Sequence, residues 1–327
     1  MWGGRRYVFV NICRLLHQSA VSSSSVKSNL SKLRKKTGFS FINCKKALEK
    51  FHNDIEKAEA WLKEQAQKEG WSKATKLKDR ATAQGVIGLM CQDHCATMVE
   101  VNCETDFVAR NTKFQHFVGQ VVTSAMAECK KTHSSSENVL KKHLSQEDLK
   151  NISSHDDKTL GEHLVLAIGQ IGENMSLRRG LFMRTSDPNT IGSYVHSALT
   201  SPKIEQSSKF SLGKYAALVV FRKTGEVHSG LNPTDLGRRL SQHVVGMNPL
   251  RIGEYTPPTA EELEAEKSEE NEETDKQSES EEKVEEEMLK QEYLLDPNLT
   301  VGDFLLEENV EVLDFARYEC GEQEGTT

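Results

Sequence analysis

The sequence predicts an α+β fold, in which a small helical domain precedes a core of two repeated α+β subdomains with antiparallel sheets. Three observations support this prediction. Short runs with helical spacing of apolar residues fill 28–72. Farther along, two stretches each contain two β-prone runs followed by an amphipathic helical pattern. Each such unit leaves an apolar face that needs a partner, which favours layered packing.

The helical domain is delimited by capping residues. Ser40 is a candidate N-cap for a helix that carries Phe41 and Leu48, and Asn53-Asp54 ends that helix and caps the next one. The basic, weakly periodic residues that follow predict a separate linker helix at 73–84. The helical domain itself is therefore placed at 28–72.

The core repeat is a pattern of strand, strand and helix. The first copy lies in a core N-subdomain at 85–187 and the second in a core C-subdomain at 188–327. The predicted elements are Gly85–Leu89, Ala96–Val101 and a long helix from Phe107 to about Cys129, and then Ile191–Val195, Tyr215–Phe221 and Leu236–Val245.

The connecting stretches are less regular. The polar run His133–Asp157 predicts a loop with one weak helix at Gln146–Leu149. Near the end, Thr300 suggests a helix start, and the strand pattern from Val310 to Tyr318 slips at Leu313.

The acidity of the chain is local. The formal charge is -7, but residues 257–292 hold 16 acids and 4 bases, so the rest of the chain carries +5. Repulsion between like charges predicts a disordered or marginally helical insert at 257–291. This insert has no apolar heptad pattern, so it does not predict a coiled coil.

The N-terminus has the composition of a mitochondrial transit peptide. No Asp or Glu precedes Glu49, and arginines alternate with apolar residues before a serine run. A secretory signal is the rival interpretation, but Asn11 and Arg14 interrupt its apolar region. We assign residues 1–27 to the transit peptide. No later run reaches the ~20 apolar residues of a membrane span.

No pattern of catalytic or metal-binding residues is evident. The seven cysteines are scattered, and Cys91-x-x-x-Cys95 lacks a second ligand pair, so no disulfide framework, metal or cofactor is predicted. Gly213-Lys214 lacks the other residues of a phosphate-binding loop. We expect neither enzyme activity nor nucleotide binding. A thiol enzyme built on Cys103 or Cys91 is a weaker alternative.

The most informative stretch is Glu100–Arg110, Glu-Val-Asn-Cys-Glu-Thr-Asp-Phe-Val-Ala-Arg, where a predicted strand turns into a helix. Thr105, Asp106 and Phe107 fall at this corner. Spacing alone also allows a plainer interpretation, in which Thr105 or Asp106 merely caps the helix and Phe107 joins its buried face.

These eleven residues closely resemble the second signature of the elongation factor Ts family, the guanine nucleotide exchange factors of elongation factor Tu. Leu33–Gly38 together with Asn43–Leu48 is similar to the N-terminal signature of that family, and Phe315–Glu322 is similar to its end. The resemblance extends from Leu33 to Glu322, with gaps at 131–158 and 257–291.

The resemblance implies a non-enzymatic exchange factor in the mitochondrial matrix, with a ubiquitin-associated-like helical domain. It implies that Thr105, Asp106, Phe107 and Val108 reach into the nucleotide domain of elongation factor Tu and displace the magnesium site there. It further suggests His196 and Lys45 as partner contacts, and a monomer that forms a 1:1 heterodimer with elongation factor Tu.

The competing class is an RNA- or ribosome-binding protein that uses the basic N-terminal helices, with Lys35, Lys36, Lys45 and Lys46 as its patch. Solvated helix faces have the same composition. A stacking platform of aromatic side chains is not evident beside these lysines, which disfavours RNA.

Overall fold

The computed structural model describes residues 28–37, 39–132, 138–198, 210–225, 230–257 and 285–323. Within them the fold is α+β, as predicted. The chain divides into two compact units: one holds the residues up to Lys78 with Val165–Gly172, and the other holds Asp79–Leu164 with Glu173–Thr327. The predicted transit peptide at 1–27 and the acidic residues 258–284 lie outside the described residues.

The first unit is helical. Helix α1 spans 28–37, α2 spans Phe41–Lys50 and α3 spans Ile55–Leu77. The Ser40 side chain caps α2, and the Asp54 side chain caps α3 by accepting from the Lys57 amide. A small apolar core joins the three helices, with Leu33, Cys44, Leu48 and Leu62 among its buried members.

The prediction of a separate linker helix at 73–84 is wrong. Helix α3 runs without a break through Leu77, and residues 78–83 are turns and irregular chain. The Gly70-Trp71 pair does not break this helix, because the Gly70 backbone packs against Val165, where even a methyl group would come within 2.6 Å of a carbonyl oxygen. Propensity alone could not reveal that contact.

Among the described residues, the second unit contains two larger antiparallel sheets. Their strands are β1 Gln84–Gln92, β2 Cys95–Cys103, β3 Val139–Leu144, β4 Met175–Thr185, β5 Thr190–His196, β6 Phe210–Gly213, β7 Tyr215–Lys223 and, last in the chain, β10 Val310–Glu319. The five-stranded sheet has the order β3-β4-β2-β1-β6, and the three-stranded sheet has the order β10-β7-β5. A hairpin of β8 Glu292–Tyr293 and β9 Asp296–Thr300 stands apart from both.

The described helices of this unit are the one-turn α4 Asp106–Ala109, α5 Thr112–Thr132, α6 Gln146–Asn151, α8 Pro233–Met247 and the short α9 Val301–Glu307, and a 3-10 turn lies at Met288–Lys290. Helix α7, Leu160–Ile171, begins here and ends in the first unit. No helix of the described residues is long and apolar enough to cross a membrane.

The core lies between the two sheets and beneath their helices. Residues of both sheets, such as Met98, Leu181 and Leu218, form one apolar cluster. Helix α5 packs on the outer face of the larger sheet, and α8 packs on the outer face of the smaller one. The α8 contact is close at Gly192 and Gly237, where an added methyl would come 2.4 Å from the Gly237 backbone or 2.6 Å from the Gly192 Cα atom.

Several predicted elements are confirmed. Strands β1, β2, β5 and β7 and helices α6 and α8 contain the predicted segments. Thr300 caps α9, and strand β10 has its irregularity between Val312 and Asp314, where the pattern slipped at Leu313.

Two further predictions need correction, and one strand crosses the predicted subdomain boundary. The predicted loop His133–Asp157 contains strand β3 as well as α6. Strand β6, from the sequence range of the second subdomain, pairs with β1 in the larger sheet. Residues 285–291, assigned to the acidic insert, pack on the core, because Met288 is buried there and its amide donates to the Arg251 carbonyl.

Candidate functional site

The corner after β2 holds the residues that the sequence singled out. The predicted long helix from Phe107 to Cys129 is interrupted, since α4 ends at Ala109 and α5 begins at Thr112. Asn111 causes the break, because its side chain accepts from the Lys113 amide at 2.9 Å and its carbonyl accepts from Gln115 at 3.0 Å, as an N-cap does. Helix α4 is thus a single turn that stands before α5.

Thr105 is the N-cap of this turn. Its hydroxyl oxygen accepts from the Val108 amide at 3.3 Å, and the backbone of Thr105 is extended as expected for a cap. The capping part of the plainer interpretation is therefore correct. A cap does not exclude a second role for the residues that follow.

Phe107 and its neighbours differ sharply in exposure. Phe107 is 80% exposed, whereas Val108 is 7% and Ala109 is 1% exposed. The suggestion that Phe107 joins the buried face is therefore wrong: Val108 and Ala109 anchor the turn in the core, and Phe107 points outward. A large apolar side chain at this exposure is available for a partner.

Asp106 is exposed beside Phe107. Its carboxylate lies 3.7 Å from Arg110, one turn later, and both side chains are more than half exposed. Such a pair is weak in water, so the Asp106 carboxylate can be drawn to another partner at small cost.

Glu173 binds Thr105 from a distant part of the chain, a role that no sequence motif predicted. Its carboxylate accepts from the Thr105 amide at 3.2 Å and from the Thr105 hydroxyl at 2.9 and 3.1 Å. The chain reaches this place because Gly172, with φ of +89°, ends α7 in a left-handed conformation that favours glycine. The only signal in the sequence was Gly172 followed by two polar residues.

A second hydrogen bond joins Glu104-Thr105 to Glu173-Asn174, with the donor and acceptor segments exchanged. The Glu104 carboxylate accepts from the Asn174 amide at 2.6 Å, and Arg80 lies 3.3 Å from its other oxygen. Each segment thus supplies one carboxylate to a backbone amide of the other.

Neither Cys103 nor Cys91 has the surroundings of a reactive thiol. Burial raises the pKa of Cys103 to about 12, with the Glu173 carboxylate adding to the effect. Burial also raises the pKa of Cys91. A thiol enzyme needs a lowered pKa, so both shifts argue against that alternative. No cluster of three potential metal ligands occurs among the residues that the structure describes.

The other two predicted contact residues lie elsewhere. His196 is exposed at the end of β5, in the smaller sheet, where its ring nitrogen lies 3.3 Å from the Tyr194 hydroxyl. Lys45 is exposed on α2, in the first unit, 3.7 Å from Glu49. The four corner residues come from one turn, but His196 and Lys45 belong to separate elements.

The basic patch of the RNA-binding alternative is partly neutralised. Lys36 lies 2.6 Å from Glu59, and Lys45 pairs with Glu49. These pairs reduce the positive field that phosphate binding would require.

Comparison with known proteins identifies the family. The family model described as elongation factor Ts, mitochondrial, N-terminal matches residues 13–72, and the model described as elongation factor TS matches residues 104–322. The chain belongs to the elongation factor Ts family. The second model begins at Glu104 and so includes the whole α4 turn, Glu173 and His196, while the first includes Lys45.

Full-length relatives support this assignment to the elongation factor Ts family. The chain is 48% identical to the mitochondrial elongation factor Ts of Branchiostoma floridae, over 96% of this chain and 95% of that protein. It is 42% identical to the Xenopus laevis protein of the same description, over 96% and 92%. It is 44% identical to the Homo sapiens protein, over 93% and 86%.

Proposed function

We propose that this chain is the guanine nucleotide exchange factor of mitochondrial elongation factor Tu. The observation that carries the proposal is the exposure of Phe107, 80%, on a one-turn helix whose next two residues are buried. Family membership supplies the partner class, and the relatives are described as mitochondrial.

The mechanism is displacement of the magnesium site of the partner. Phe107 enters the nucleotide domain of elongation factor Tu as a wedge, and Asp106 brings a carboxylate beside it. Bound GDP depends on Mg²⁺ to offset the charge of its phosphates, so displaced metal ligands weaken both metal and nucleotide binding. GDP then leaves, and GTP can load during the elongation cycle.

The energy required is within reach of this corner. A 10⁴-fold faster release needs on the order of 5.5 kcal/mol in favour of the displaced state. Interface hot spots contribute ~2 to 4 kcal/mol each, and an inserted aromatic ring with one desolvated carboxylate can therefore supply much of it. Lys45 and His196 are proposed as further contacts that increase the affinity for elongation factor Tu but do not displace its magnesium site.

The chain is not an enzyme and does not bind guanine nucleotide by itself. No covalent step is needed, because exchange follows from binding the nucleotide-free partner more tightly than the GDP-bound one. We propose a monomer that forms a 1:1 heterodimer with elongation factor Tu.

The remaining assignments concern the regions of the chain. Residues 1–27 act as the transit peptide to the mitochondrial matrix. The α1, α2 and α3 bundle is a ubiquitin-associated-like domain, although fold analogy does not bring ubiquitin binding with it. The core is divided into subdomains at 85–187 and 188–327, with β6 as the strand that crosses between them.

The deciding experiment measures release of fluorescent GDP from mitochondrial elongation factor Tu by stopped flow, with and without the full chain. We expect acceleration that saturates with the concentration of this protein. The absence of acceleration at concentrations where the two proteins form a complex would refute the proposal. Calorimetry of the chain alone with GDP should show no binding, and micromolar binding would also count against it.

A further inference from the structure

We propose that Glu173 is the residue that positions the Phe107 turn for its partner. The inference rests on the proposed exchange function and assigns Glu173 an indirect role in it. Glu173 is not expected to touch elongation factor Tu or its nucleotide; it acts through Thr105.

The Thr105 hydroxyl has a single proton, which can be donated to only one group at a time. The Glu173 carboxylate lies 2.9 and 3.1 Å from this oxygen, and because a carboxylate only accepts, the hydroxyl must donate to it. The lone pairs of the oxygen then remain for the Val108 amide at 3.3 Å. Glu173 thereby orients the hydroxyl in the way that the cap of α4 requires.

Helix α4 depends on this cap more than a longer helix would. It has four residues, and its internal bonds are the few that close one turn, such as Ala109 N–H to Thr105 carbonyl at 3.2 Å. Isolated turns of this length are unstable in water, so the bonds at the cap carry a large share of its order. The exposed Phe107 side chain gains nothing from the core and relies on this backbone for its position.

Glu173 also fixes the backbone of Thr105, whose amide donates to the same carboxylate at 3.2 Å. Charge-assisted bonds of this kind are stronger than neutral ones. The opposite bond from Asn174 to Glu104, 2.6 Å, prevents the two segments from sliding past each other. The free protein therefore presents Phe107 in one conformation, and little ordering is left for the moment of binding.

Loss of the hydrogen bonds between Glu173 and Thr105 should lower the fraction of molecules in which α4 has its binding-competent conformation. The apparent affinity falls by that fraction, and a tenfold loss corresponds to about 1.4 kcal/mol. We expect Glu173→Ala to lower kcat/KM of stimulated GDP release about tenfold. Glu173→Gln, which keeps one acceptor oxygen but loses the charge, should lower it about threefold.

The matched control is Glu162→Ala. Glu162 accepts from the Thr159 amide at 2.9 Å and from the Thr159 hydroxyl at 3.5 Å at the start of α7, and so makes the same kind of cap away from the turn. We expect Glu162→Ala to cost similar stability in urea unfolding and to leave GDP release as in the wild type.

A double-mutant cycle separates positioning from a general structural effect. If Glu173 acts through the two exposed side chains of the turn, Glu173→Ala should have almost no further effect on release in a background that carries both Asp106→Asn and Phe107→Ala. A tenfold loss that persists in that background would overturn the proposal. So would wild-type release by the folded Glu173→Ala protein.

Amide hydrogen exchange of the free chain gives a readout that does not depend on activity. Exchange at Val108 and Ala109 should be at least about tenfold faster in Glu173→Ala and unchanged in Glu162→Ala. Unchanged amide hydrogen exchange at Val108 would overturn the proposal even if GDP release were slower.

If Glu173→Ala does not fold, the same test can be made with Glu173→Gln and Thr105→Val. If wild-type protein does not accelerate release at all, the exchange function fails, while the amide measurement still decides whether Glu173 orders the turn.

Discussion

Phe107 and Val108 are adjacent in the chain and have opposite surroundings: the Phe107 side chain is 80% exposed, and Val108 is 7% exposed. The α4 turn produces this contrast, because its inward residues pack below it while the ring of Phe107 stands free. Substitutions at these two positions can therefore distinguish a contribution to partner binding, at Phe107, from a contribution to folding stability, at Val108.

Phe107→Ala should slow stimulated GDP release by roughly ten- to a thousandfold, or ~1.4 to 4 kcal/mol of lost contact, with little change in thermal stability. Val108→Ala should cost about 1.5 to 3 kcal/mol of stability, since it removes buried apolar atoms, and should slow release less than Phe107→Ala, because the buried Val108 side chain offers a partner little surface. Stopped-flow release and circular-dichroism melting on the same preparations compare the two. A Phe107→Ala protein that melts early but exchanges normally while folded would defeat the assignment.

Asp106→Asn should also slow release, by about three- to thirtyfold, because it removes a charge and leaves the shape of the turn intact. Its exposed pair with Arg110 contributes at most about 1 kcal/mol, so the melting temperature should hardly move. Asp187→Asn is the matched control, since that side chain is also exposed and lies in the turn between β4 and β5. Equal release by both variants would remove Asp106 from the mechanism.

The site was only half predictable, because its two halves come from distant parts of the sequence. Thr105, Asp106 and Phe107 belong to one local motif, and local capping chemistry is visible in a sequence. Glu173 lies 68 positions away from Thr105. No periodicity or capping rule links residues at that separation, and only the folded chain brings them together.

The same distinction explains the errors in the fold. The spacing of Phe107 and Phe114 suits one continuous helix, and only the side-chain bond of Asn111 shows that the helix restarts. The apolar and polar residues of β3 alternate only weakly, so its sequence does not predict a strand. It forms because every residue of β3 pairs with a residue of β4. Strand β6 is likewise defined by pairing with β1.

Removal of the N-terminus on import should be visible in the mature protein. The cationic, acid-free residues 1–27 serve targeting and are predicted to be removed, with cleavage before α1, because a cut beyond residue 27 would enter the helix that carries the buried Leu33. Mass spectrometry of the protein isolated from mitochondria measures the new N-terminus. An intact Met1 on the mitochondrial protein would contradict this prediction.

Deletion of residues 261–284 should leave the midpoint of thermal unfolding nearly unchanged, since a segment this rich in charge buries little apolar area. The deletion must stop there. Met288 is fully buried in the core beneath α8, so Met288→Ala should cost about 2 to 5 kcal/mol. Scanning calorimetry of both variants tests the boundary, and a loss of several degrees in the deletion alone would mean that the acidic residues contribute to the core.

Stability should fall in mild acid because of His243. This buried residue on α8 bonds through Nε2 to the Gln291 side-chain oxygen at 3.0 Å, and its Nδ1 accepts from the Leu294 amide at 3.2 Å. The bond to Gln291 requires a proton on Nε2, and the bond from Leu294 requires an unprotonated Nδ1, so the two together need the neutral ring. Burial lowers the pKa of His243 to about 4, against a weaker opposite effect from Gln291.

Because the pKa of His243 is lower in the folded chain than in the unfolded chain, stability falls as the pH is lowered. Above the ordinary pKa of about 6.5, neither the folded nor the unfolded chain protonates this histidine, and its contribution is fully present. Between pH 6.5 and 4 only the unfolded chain takes up the proton, which favours unfolding by up to about 1.4 kcal/mol per pH unit. From pH 7 to pH 5 the free energy of unfolding of the wild type should therefore fall by about 2 kcal/mol more than that of His243→Gln, even though that variant is less stable at pH 7.

Urea unfolding at both pH values measures this fall in the free energy of unfolding. His116→Gln, on the exposed side of α5, should show the same fall as the wild type. If His243→Gln lost as much stability as the wild type over this range, the buried ring would have to accept a proton in the folded state, and the hydrogen-bond assignment at Gln291 and Leu294 would be wrong.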